Sequence, residues 1–109
     1  MKIEIHIKPP MLQKVNILIA KLTFSYNKQD RIDLSIIKQI ALKFARKSFS
    51  LLGKDKSKTY KISIGYHEAE VLERKLRFRA NLEHEMHQLA DDDYHLLIQF
   101  CGFLNQKIA

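Results

Sequence analysis

The sequence predicts an α+β domain made of two β-α-α units, its two short strands paired as an antiparallel sheet and covered on one face by four helices. Three observations carry that reading. The segments "KIEIHI" (residues 2–7) and "KISIGY" (61–66) place isoleucine at every second position, the period of a strand with one wet face. The stretches after them carry apolar residues at helical spacing. With 46% apolar and 28% charged residues but only 3 Gly and 2 Pro, the composition is that of an ordered chain rich in helix. At 109 residues it is long enough for one hydrophobic core and too short for two independent ones.

In the first strand Ile3, Ile5 and Ile7 alternate with Lys2, Glu4, His6 and Lys8, and Pro9 and Pro10 stop it. Proline is tolerated in a first helical turn, where a missing N–H costs nothing. The first helix therefore starts there, with Met11, Leu12, Val15, Leu18, Ile19, Leu22 and Tyr26 at helical spacing, and ends near Asn27. After the polar "NKQDRID", Asp33 or Ser35 can cap a second helix whose Ile36, Ile37, Ile40, Ala41, Phe44 and Leu51 share a face, and Gly53 is its stop signal.

The second strand puts Tyr60, Ile62, Ile64 and Tyr66 on one face and Lys61, Ser63 and Gly65 on the other. A third helix is expected over residues 68–90, with an apolar stripe of Val71, Leu72, Leu76, Phe78, Leu82, Met86 and Leu89. Glu70 to Arg74 and Glu73 to Arg77 have the four-residue spacing of surface pairs. "DDD" (91–93) can break that helix and cap a fourth, "YHLLIQFCGFLNQKI", which is apolar nearly all round and so expected at the centre of the fold.

Each half thus runs strand, helix, helix, giving one domain over 1–109 with a first pseudo-repeat at 1–53, a loop at 54–58 and a second pseudo-repeat at 59–109. At an offset of 59, Lys2, Ile3 and Ile5 align with Lys61, Ile62 and Ile64; one inserted residue later, Leu12, Ile36, Gln39 and Phe44 align with Leu72, Leu96, Gln99 and Leu104. Val15 and Ile19 against Lys75 and Arg79 are mismatches. A two-stranded sheet leaves open edges, so a homodimer that continues the sheet or packs helices is expected.

Charge is unevenly placed. Residues 1–60 hold 13 Lys or Arg against 4 Asp or Glu, whereas residues 61–109 hold 6 against 8. Such asymmetry is the footprint of a phosphate-binding surface or of an acidic protein partner. The densest positive stretch is 38–58, where Lys43, Arg46 and Lys47 lie opposite the apolar side of the second helix and "GKDKSK" adds Lys54, Lys56 and Lys58. A solvated surface in a Lys-rich chain explains the same letters, since 14 of the 19 cations are Lys and lack the planar fork of Arg.

No catalytic or cofactor signature stands in the chain, and no enzyme activity is expected. His84, His87 and Asp91 fall on one helical face, but "HEMH" does not space its histidines four apart as the zinc motif does. The lone Cys101, in "IQFCGFL", has an apolar setting that makes a thiol inert, and Glu83 and Glu85 point in different directions on a helix. "LLGKDKS" has Ser48 where a phosphate loop needs glycine and Asp55 where it needs Ser or Thr. "VNILIA", closed by Lys14 and Lys21, is far short of the roughly 20 residues of a membrane span, and the apolar side of its helix is what a core demands. With one cysteine and no apolar leader, the expected location is cytoplasmic.

These readings leave a small basic binding module without a cofactor, whose expected partner is DNA or an acidic protein and not a membrane. In the DNA form a ribbon with Lys2, His6 and Lys8 outward enters a groove while Lys43, Arg46, Lys47, Lys54, Lys56 and Lys58 neutralise phosphates. The strand-helix-helix order resembles that of ribbon-helix-helix repressors, here duplicated in one chain; the likeness is one of topology and implies DNA contact through the ribbon. Glu4, Gly65 and the acidic second half depart from it.

Overall fold

Alternating isoleucine and charge does form both strands, and the two find each other across the chain. The computed structural model describes residues 1–23 and 31–108. In these the chain runs β1 (Lys2–Ile7), α1 (Pro9–Thr23), α2 (Arg31–Ser50), β2 (Tyr60–Gly65), α3 (Tyr66–Glu85) and α4 (Asp91–Ile108). β1 and β2 pair antiparallel, with Ile3 opposite Ile64, Ile5 opposite Ile62 and Ile7 opposite Tyr60. Those five isoleucines are buried, and the outer face carries Lys2, Glu4, His6, Lys61, Ser63 and Gly65.

The phase of the ladder is set at its end, where the Tyr66 N–H donates to the Met1 carbonyl at 2.9 Å. Hydrogen-bonded pairs alternate along an antiparallel ribbon. The backbone groups of Ile3, Ile5 and Ile7 therefore face β2, and those of Lys2, Glu4 and His6 face the free edge of β1. On β2 the outward groups belong to Lys61, Ser63 and Gly65. The Gly65 amide is taken by Glu68 Oε1 at 2.9 Å, the carboxylate closing the first turn of α3.

α1 opens on Pro9 and Pro10 as expected, and Leu12, Val15, Leu18 and Ile19 form its buried stripe. Tyr26 and a helix end near Asn27 lie outside the described residues. α2 begins at Arg31, ahead of the expected caps. Asp33 sits inside its first turn and holds α3, with Oδ2 at 3.5 Å from both Arg74 and Lys75. The sequence pairing of Glu70 with Arg74 is replaced by this bridge, while Arg77 does bond Glu73 at 2.6 Å. Ile37, Ile40 and Phe44 are buried, and Phe44 meets Phe100 of α4 edge-to-face at 6.0 Å. Gly53, at φ +81°, supplies the left-handed turn that ends this segment.

α3 differs most from expectation. It starts at Tyr66, directly on β2, and stops at Glu85 instead of residue 90. The stop is a backbone motif: the Gln88 N–H donates to the Glu83 carbonyl at 2.8 Å and the His87 N–H to that of His84 at 3.1 Å, with His87 at φ +57°. Its buried stripe is Ala69, Val71, Leu72, Leu76 and Ala80. Phe78, two residues past Leu76 and so on the far side at 100° per residue, is 67% exposed, and Met86 is exposed as well. α4 buries Leu97, Phe100, Cys101 and Leu104 on one face, while Leu96 and Ile98 are only partly buried. The Tyr66 hydroxyl donates to the Ile108 carbonyl at 2.9 Å and ties the ends of α3 and α4.

Packing decides stability here. A fully buried Leu, Ile or Phe contributes about 1.5–3 kcal/mol, against about 0–1 kcal/mol for an exposed ion pair, and no buried polar side chain interrupts the core among the described residues. Two consequences are measurable by urea denaturation. Phe44→Ala, which empties a wholly buried site, should cost about 3–5 kcal/mol. His87→Gly should raise stability by about 0.5–1 kcal/mol, because only glycine occupies the left-handed region without strain.

Candidate anion-binding surface

Lysines and arginines become a binding surface only where no carboxylate already holds them, and tertiary structure sorts them sharply. In the second half Lys61, Arg74, Lys75, Arg77 and Arg79 each lie within 4.0 Å of a carboxylate. In the first half Lys14 reaches Asp93 at 3.2 Å and Lys43 reaches Glu68 at 3.6 Å. Lys2, Lys8, Lys38, Arg46, Lys47, Lys54, Lys56 and Lys58 have no carboxylate partner among the described residues. Apart from Lys107 in the last turn of α4, the positive field left over therefore belongs to β1, α2 and the loop after it.

The nine residues singled out from the sequence divide into three places. Lys2 and His6 point outward from the ribbon, and Lys8 follows its end, exposed. The ribbon face is weakened by Lys61 and Glu4, which meet across it at 3.5 Å. Lys43 is drawn to the flank of α2 by Glu68, the same carboxylate that caps Gly65, so its charge serves the joint between α2 and α3. Arg46, Lys54, Lys56 and Lys58 are exposed and Lys47 half-buried at the end of α2 and in the loop. This last group falls within residues 46–58, at one end of α2 and in the loop that continues it.

Local chemistry shapes the loop. Asp55 accepts the Ser57 hydroxyl at 2.7 Å and the Ser57 amide at 2.9 Å, a turn that two hydrogen bonds to one carboxylate hold. Those bonds, the side-chain one first, keep Asp55 below the usual carboxylate range. Its acceptor oxygen is thus occupied by the turn, and Lys54, Lys56 and Lys58 around it in the sequence are exposed. Where the start of α1 meets the end of α2 lies an open cleft of about 290 Å³, lined by Pro9, Pro10, Gln13, Ser48, Leu52 and Lys56 among others. It brings the loop beside the end of β1, where Lys8 stands.

Sequence reasoning missed the apolar side chains in this region. Leu42, Phe49 and Leu52 are 52%, 77% and 68% exposed. The signal was present in the helical phase: Ile37, Ile40 and Phe44 define the core side, and Leu42 and Phe49, seven apart, fall opposite it.

The histidine group forms a different feature. His84 Nε2 lies 2.9 Å from Asp91 Oδ1, and its ring stacks on Tyr94 with centroids 4.0 Å apart. His87 lies beyond the helix, in the turn, and no group of three or more metal-ligating side chains is gathered among the described residues. Nor is any helix there long and apolar enough to cross a membrane. Comparison of the chain with protein-family models, with characterised proteins and with solved structures returns no match.

Cys101 is buried, and desolvation pushes its thiol up to about 12. Two measurements follow. At pH 8 a thiol reagent should label the folded protein only at the rate of its opening and label it at once in denaturant. Because the folded thiol keeps its proton after the unfolded one has lost it, stability should fall as pH rises from about 9 toward 12.

Proposed function

We propose that this chain is a small non-enzymatic binding module that holds a polyanionic partner through the end of α2 and the following loop. The observation that carries the reading is the sorting of charge: second-half cations are mostly neutralised within the fold, while Arg46, Lys47, Lys54, Lys56 and Lys58 are left without a carboxylate. Lys8, across the cleft, extends the same surface. DNA is the partner to test first, because its phosphates ask for unpaired cations and little else. In this reading the ribbon assists with Lys2 and His6 and does not read bases, since Lys61 is engaged by Glu4 and Ser63 and Gly65 offer little to a groove. An acidic protein is the second partner class, favoured by the apolar side chains exposed among these cations.

Two further parts of the reading concern assembly. Each half runs strand, helix, helix, and this common order is what favours an internal duplication. The open edge of β1, with the backbone groups of Glu4 and His6 outward, suits a homodimer that continues the sheet. A single buried thiol accords with a reducing, cytoplasmic setting.

Binding to random duplex DNA across a salt series tests the central claim. With five cations engaged, log K should fall linearly with log salt at a slope of about −4.5, and Lys54→Ala or Lys56→Ala should each flatten it by about 1. Absence of DNA binding at low salt sinks the DNA form. Lys43→Ala should act differently, lowering the unfolding midpoint with little change in slope.

A further inference from the structure

The solvent side of α2 carries a line of apolar side chains that the core does not use. Leu42 and Phe49 are a near-whole number of turns apart, and Leu52 continues the line past the helix end. Lys38 and Arg46 are interleaved on the same side, and Lys54 and Lys56 follow it. Burying Phe49 would remove a large apolar ring from water, yet three-quarters of it stays exposed.

The occupant has to match both chemistries. A second copy of this chain packed isologously would bring Lys38, Arg46, Lys54 and Lys56 of both copies together, and like charges oppose that contact. An acyl layer would desolvate the cations set between the apolar side chains, whereas carboxylates on a protein can pair with them one by one. Phosphates make no use of Leu42 or Leu52.

We infer that Leu42, Phe49 and Leu52, with Lys38, Arg46 and Lys56 between and beside them, form a docking site for an acidic amphipathic protein segment, apolar on one face and carboxylate-rich on its flanks. Phe49 is the central anchor, and the cleft beside Leu52 takes the end of the segment. This rests on the polyanion reading above and names its partner class.

The test uses the full chain and two labelled synthetic peptides of about five helical turns. One carries leucine on one face and glutamate on the other; the second has the same composition permuted so that no apolar face forms. The wild type should bind the patterned peptide at least about tenfold more tightly, and Phe49→Ser should remove that preference, a loss typical of truncating an anchor. Because Phe49 is exposed, the variant should keep its urea midpoint and the salt slope of DNA or permuted-peptide binding. Equal affinity for the two peptides, or an unaffected Phe49→Ser, overturns the inference. So does Phe49-dependent binding to anionic phospholipid vesicles without peptide preference, or concentration-dependent self-association that Phe49→Ser abolishes. If neither peptide nor DNA binds at low salt, the polyanion reading itself fails, which is a different result from binding that ignores Phe49.

Discussion

The fold depends on covering one isoleucine face. Ile3, Ile5 and Ile7 lie on a six-residue strand that can bury nothing by itself, and a two-stranded ribbon is at best marginal in water. Their partners Ile62 and Ile64 are more than fifty residues away, so the ribbon forms only as the helices close over it. Phe44 against Phe100 then joins the second helix of each half above that face. The halves are thereby made one cooperative body, in which neither strand is stable without the other.

Most of this architecture was legible because its signals are periodic. Period two at Ile3, Ile5 and Ile7, and helical spacing at Leu12, Val15 and Ile19, survive any detail of packing. The end of α3 was not legible: its stop is made by backbone bonds around His87, a residue with no turn signature, where glycine would have announced the turn. The stripe of α3 was read correctly at Val71, Leu72 and Leu76 and wrongly at Phe78 and Met86, for a related reason. Ala69 and Ala80 take the buried positions because small side chains let helices approach, and an alanine is silent in a hydrophobic count, whereas Phe78 is loud and faces water.

The candidate surface was half legible. Total charge and its concentration before residue 60 are in the letters, but which cations stay free is a property of three-dimensional neighbours. Glu68 claims Lys43 across 25 residues, and Asp33 claims Arg74 and Lys75 across about forty. Leu42, Phe49 and Leu52 carry no signal of their own in the letters, and it is the fold that leaves them exposed away from Ile37, Ile40 and Phe44. Exposed charges farther apart than a Debye length of about 8 Å are screened at physiological salt. What remains is a local field where several cations crowd one loop, and the end of α2 meets that condition better than the ribbon does.

Glu68 has a consequence for how the sheet can grow. By capturing the Gly65 amide it removes one donor from the outer margin of β2, at the end where α3 begins. The margin of β1 keeps its donors and acceptors at Glu4 and His6. An incoming strand thus meets one rung fewer on β2, where Lys61 and Ser63 still turn their backbone groups outward, than on β1. The difference makes the margin of β1 the better template for pairing.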